Sequence, residues 1–189
     1  MDLAAHCLED LAVLFRKTRS LAEGAIAQAS DDDLFRQVDD ESNSIAIVMR
    51  HVAGNLRSRF TDFLTSDGEK PDRHRDAEFE IPAGTTRETV VADWNLGFSR
   101  LENTLASLTP PDLVKEVRIR GEQMTVLAAL HRSLAHTSMH VGQIVMVAKH
   151  LRGSAWRTLS IPRGQSDTFM GQRNQEPTRN PEPRTSNPA

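Results

Sequence analysis

VLAALHRSLAHTSMHVGQIVMVAKHL, residues 126 to 151, contains no proline and carries apolar side chains at helical spacing along its whole length. The pattern predicts one long helix, with Thr125 placed to cap its start and Gly153 just past its end. Inside it His136 and His140 stand four residues apart. Four residues are about 400° of rotation, so the two rings are neighbours on one face. On the helical wheel Ile144 and Ala129 fall within about 40° of His140, and the pair therefore borders or enters the apolar arc. Two imidazoles at a core boundary can simply be hydrogen-bonded there. They can also be two ligands of a metal site that needs a third from elsewhere.

Working outward, three more segments show helical periodicity: Leu3 to Ala29, Ser44 to Leu64 with Ser44 as a cap, and Thr86 to Leu108, introduced by a capping-box spacing from Thr85 to Glu88. KEVRIRGEQMTV alternates apolar and polar residues around Gly121, which fits either a short hairpin or an irregular crossover before the last long helix. The connection from Ser66 to Thr85 is charged and long, and loops of that length are often functional. Beyond Met170 the sequence GQRNQEPTRNPEPRTSNPA holds four prolines and no large apolar side chain, so residues 170–189 are expected to be a disordered tail on a domain spanning 1–169. Four long helices without strands of comparable length predict an all-α, four-helix bundle, antiparallel or crossover.

The 189 residues carry 23 Lys and Arg against 26 Asp and Glu, a net charge of −3 that gives no general attraction to nucleic acid or to an anionic membrane. Cys7 is the single cysteine and cannot form an intrachain disulfide. The start, MDLAAHCLEDLAVLF, lacks the basic residues and unbroken apolar run of a signal peptide, so a cytoplasmic protein is expected.

His51 is the best donor of a third imidazole. It lies in the second helix, roughly 120° from the apolar centre of that wheel, with Asn55 and Asp62 within about 40° of it. His6, in the first helix, is a reserve ligand. No H-E-x-x-H, phosphate-binding glycine loop or G-x-S-x-G is present. Gly142, in a helix interior at a cost of about 1 kcal/mol relative to Ala, suggests close approach of another element. Trp94 and Trp156 read as packing anchors.

A histidine in the second helix followed by H-x-x-x-H within HTSMHVGQIVMVAK resembles the DinB superfamily of DinB- and YfiT-like metalloenzymes, which includes bacillithiol- and mycothiol-transferase-like proteins. More narrowly, HVAGNLRSRFTDFLTSDGEKPDRHRDAEF, residues 51 to 79, and LSIPRGQSDTF, residues 159 to 169, look like the DUF1572 branch. The resemblance covers nearly everything before the tail. It implies a four-helix bundle with a crossover connection, and a divalent metal held by His51, His136 and His140.

Three neutral imidazoles suit Zn, Ni, Fe or Mn and leave an open position, where a bound water or a thiolate could serve as nucleophile. The resemblance therefore implies a thiol-transferase-like or hydrolase-like enzyme acting on a small thiol or other small substrate, in a homodimer. The alternative is a non-catalytic metal-binding or interaction protein that uses the bundle as a dimeric scaffold. Asn55, Asp62 and Gln143 are candidates to accept the outer N–H of a ligand imidazole. Arg59, Arg73 and Arg163 are candidates to hold a substrate carboxylate, and IPRGQS, residues 161 to 166, is a candidate to fold over the metal end.

Overall fold

The computed structural model describes residues 2–173, with side chains described through Phe169. It divides into two units, Met1–Trp156 and Arg157–Ala189. In the first unit, Asp2 caps α1, Leu3–Ile26, by accepting the Ala4 N–H. Ser30 and Asp33 form a capping box that starts a short helix, α2, Asp31–Phe35, which the periodicity of the sequence did not reveal because it spans little more than one turn. Ser44 caps α3, Ile45–Phe60, through the Ile47 N–H. Thr86, rather than Thr85, caps α4, Arg87–Ser107, and its reciprocal partner is Thr89 instead of Glu88. Thr125 caps α5, Val126–Arg152, and Gly153 closes it with a φ of 51°.

The expected ends of the first two helices run too far. α1 stops at Ile26 so that the chain can turn into α2, and α3 stops at Phe60 because Thr61 turns extended and Asp62 adopts a left-handed φ of 48°. The architecture is mainly helical, as expected. Among the described residues α3 packs most extensively against α4, and α1 against α5, while α3 also meets α5. Ile45, Met49, Val52 and Leu56 of α3 are fully buried in a core shared with Phe15, Trp94, Phe98, Leu130 and Ile144. Trp94 is an anchor of that core; Trp156 is only partly buried. The close approach of α3 and α4 depends on Gly97, where an added Cβ would lie 2.9 Å from the Ala53 Cα.

The segment around Gly121 is a hairpin. β1, Glu116–Ile119, pairs antiparallel with β2, Glu122–Thr125, and the two-residue turn holds Arg120 and Gly121 at φ 57° and 78°. Such a turn matches the natural twist of paired strands. The loop after α3 is fastened to it: Asp67 accepts the backbone N–H groups of Arg120 and Gly121 at 2.9 and 2.7 Å, and Gly68 donates to the Arg118 carbonyl at 2.8 Å. The same loop then makes a 3₁₀ turn over Asp76–Phe79.

In the second unit α6 spans Ser166–Arg173, so the expected tail boundary at residue 170 falls within a helix. Residues 174–189 of that expected tail lie outside the described residues. No helix among the described residues is long and apolar enough to cross a membrane.

Candidate metal centre

α3 contributes His51 and α5 contributes His136 and His140, and the three rings meet. His136 Nε2 lies 3.3 Å from His51 Nε2 and 3.2 Å from His140 Nε2, and the donor atoms of all three lie within 4.8 Å of one another. His51 is buried on a helix whose residues are covered almost all round, and the rings of His51 and Phe79 are centred 4.8 Å apart.

The outer hydrogen bonds of His51 and His140 set which nitrogen of each of these two rings carries the proton. His51 Nδ1–H donates to Glu78 Oε2 at 2.9 Å, since an ionised carboxylate can only accept. Burial works to raise the Glu78 carboxyl, but hydrogen bonds from His51 and Arg73 outweigh it and hold the group below the usual carboxylate range. His140 Nδ1 lies 2.8 Å from Gln143 Oε1, so it too carries the proton on the outer side. In the neutral rings both Nε2 atoms therefore present lone pairs to His136 Nε2. Burial, then the neighbouring His140 and His51, pushes the His136 imidazole down to about 4, which leaves it neutral at pH 7.

Without a cation, His136 can carry its proton on Nε2 and donate it to a neighbouring Nε2; with its proton on Nδ1, all three inner nitrogens are free to bind one ion. Nitrogens bound at about 2.0–2.1 Å around a tetrahedral ion stand about 3.3 Å apart, which matches the separations of His136 from His51 and from His140, while the third pair lies within 4.8 Å. The donor set fits a divalent metal ion, with Zn, Ni, Fe and Mn all compatible with imidazole nitrogen.

The other sequence candidates fall in different places. Asn55 is buried and lines a cavity next to His51 and His136. Asp62 does not join them: it lies past the end of α3, exposed, and its backbone carbonyl accepts from Thr65 and Ser66. Arg59 and Arg73 are buried and face acids. Arg73 donates to both Glu78 oxygens, at 2.8 and 2.9 Å, and Arg59 reaches Glu69 at 2.9 Å and the Gly68 carbonyl. Arg163 and residues 161–166 belong to the second unit. His6 pairs with Asp10 at 3.6 Å on an exposed face and is not part of the cluster. Gly142 is exposed, and among the described residues nothing lies within 4 Å of an added Cβ and no element approaches it.

Sequence reasoning missed Glu78, although it is the penultimate residue of the quoted stretch 51 to 79. The signal was Gly54, one turn beyond His51 in a helix interior. An added Cβ there would lie 2.2 Å from Glu78 Oε1, so the missing side chain is the space in which the carboxylate sits.

A family model described as a protein of unknown function, DUF1572, matches residues 2–165. The chain belongs to the DUF1572 family. No curated protein and no solved structure matches it. The match takes in all three histidines, together with Glu78 and Gln143.

Proposed function

We infer that this DUF1572 protein is a metal-dependent enzyme, thiol-transferase-like or hydrolase-like, built on a DinB-type four-helix bundle with a crossover connection. One observation carries the reading: three imidazoles from two helices converge, with His136 Nε2 3.3 and 3.2 Å from the Nε2 atoms of His51 and His140. His51, His136 and His140 would hold the ion. When bound, a divalent ion supplies Lewis acidity, polarising an oxygen or sulfur ligand in its open position.

The remaining work belongs to the chain's own groups. Glu78 and Gln143 fix the tautomers of His51 and His140, which keeps their inner nitrogens unprotonated. Arg73 positions Glu78 through two hydrogen bonds and does not contact the cluster itself in this role. Asn55 stands beside His51 on the cavity wall, where it can orient a small thiol or other small substrate.

A second reading, a non-catalytic metal-binding scaffold acting through a dimer surface, draws support from Met139 and Met146, which are exposed on either side of the open Gly142. Elemental analysis of the purified protein, followed by assays of thiol conjugation and of ester and amide hydrolysis with and without metal, separates the two. Metal-dependent turnover that disappears in His136→Ala is the expected result. Stoichiometric metal with no turnover in any assay favours the scaffold, and a protein that holds no metal defeats both.

A further inference from the structure

The cavity beside the histidine cluster has a volume of about 180 Å³, and His51 and His136 form part of its wall. That is slightly larger than the roughly 150 Å³ of a cavity that accepts benzene, so the space suits one ring or a short branched chain. Phe60, Phe63 and Ile119 make one side of it apolar. The polar side contains five arginines and no aspartate or glutamate.

These arginines are not equivalent. Arg59 and Arg73 are buried and committed to Glu69 and Glu78. Arg120 and Arg132 have side chains 52% and 47% exposed. Among the described residues Arg132 meets only Glu122, at 3.3 Å, and Glu122 is itself 72% exposed, an arrangement that holds a guanidinium weakly. Arg120 uses Nε on Glu69, which already serves Arg59 and Arg73.

Behind them stands Ser133, 6% exposed, whose Oγ has no protein partner among the described residues. His136 Nδ1 is likewise buried and unpartnered. The guanidinium groups and the His136 Nδ1–H, once Nε2 serves a metal, can only donate, and the serine hydroxyl is free to do so. A neutral ligand rich in donors would leave them unsatisfied. An oxyanion would satisfy them, and the acid-free wall favours its charge.

We propose that the cavity binds a small organic oxyanion, a carboxylate or a phosphate monoester, with its charged head on Arg120, Arg132 and Ser133 and its compact apolar body against Phe60, Phe63 and Ile119. The assignment deepens the enzyme reading, resting on it only for the claim that this ligand is the substrate, since the same wall borders His51 and His136. It also moves substrate recognition from Arg59 and Arg73 to the two arginines at the cavity mouth.

The test is a titration of benzoate, phenyl phosphate and neutral benzamide into the full chain, metal-loaded and metal-stripped, by ligand-observed NMR and calorimetry. At least one of the two anions is expected to bind ten times more tightly than benzamide in both forms, and which one does so identifies the head group. Arg120→Gln with Arg132→Gln should abolish that preference while metal content stays the same. Ser133→Ala, a smaller change in the same wall, should weaken the anion several-fold. Equal binding of all three probes overturns the proposal, as does a preference that survives the double arginine variant or that exists only with metal present. Failure of the metal reading looks different: the protein holds no ion, yet the anion preference remains in the stripped form.

Discussion

His51 Nδ1 donates to Glu78 Oε2 across 2.9 Å, a buried pair that joins α3 to the 3₁₀ turn in the loop following it. The carboxylate sets the tautomer of the ring and makes its inner nitrogen a better donor to a cation. Glu78→Gln keeps the shape and a hydrogen bond but removes the charge, and it should lower metal affinity about 10- to 100-fold with the fold intact. Competition titration with a metal indicator measures this; unchanged affinity would show that the pair serves the loop alone.

Two glycines test close approach in different ways. Gly54→Ala places a methyl where Glu78 sits, and Gly97→Ala places one against the backbone of Ala53. A side chain can swing away, whereas a backbone cannot. Gly54→Ala should therefore cost metal affinity, about tenfold or more, and also stability, because displacing Glu78 breaks its buried bonds to Arg73, a loss larger than the about 1 kcal/mol that alanine gains in a helix interior. Gly97→Ala should lower stability by about 1–3 kcal/mol through forced separation of α3 and α4, and leave affinity nearly unchanged. Urea unfolding and the same metal titration, run on both variants, check the contrast.

These residues also mark what could be read from the chain before its structure was known. The His136 and His140 pair was visible because i and i+4 neighbours are fixed by helix geometry alone. His51 looked marginal on its wheel because a wheel assumes one solvent face, whereas α3 is covered by α4, α5 and the loop from Ser66, so its polar side is buried too. Asp62 was misplaced for a related reason: projecting it on the wheel presumed a helix that ends two residues earlier. Glu78 and the pairing of Arg73 with it depend on the path of an irregular loop, and no periodicity encodes that path.

Thr137 is completely buried next to His136, and its hydroxyl has no partner among the described residues. Burying an unsatisfied hydroxyl costs about 1–3 kcal/mol, so replacing it with a methyl at nearly the same volume removes the penalty. Thr137→Val should stabilise the protein by about 1 kcal/mol, read as a higher urea midpoint at unchanged slope. A loss of stability would mean that the hydroxyl is satisfied.

Asp67 ties the loop after α3 to the hairpin, accepting N–H groups from Glu69, Arg120 and Gly121 at 2.7, 2.9 and 2.7 Å. Those bonds, the Glu69 amide first and the Gly121 amide next, hold its carboxyl below the ordinary aspartate value. A depressed carboxyl favours the folded state above the unfolded value of about 3.9 and loses that contribution as pH falls through the lower folded value. Asp67→Ala should cost about 1 kcal/mol at pH 7, and should also weaken any ligand gripped by Arg120, whose backbone the carboxylate fixes. The stability gap between wild type and variant should be constant from pH 7 to about 5 and shrink below about pH 4. Urea unfolding of both proteins at pH 7, 5 and 3 measures it. A gap as wide at pH 3 as at pH 7 would mean that the charge on Asp67 contributes nothing and that the turn at Arg120 and Gly121 holds itself.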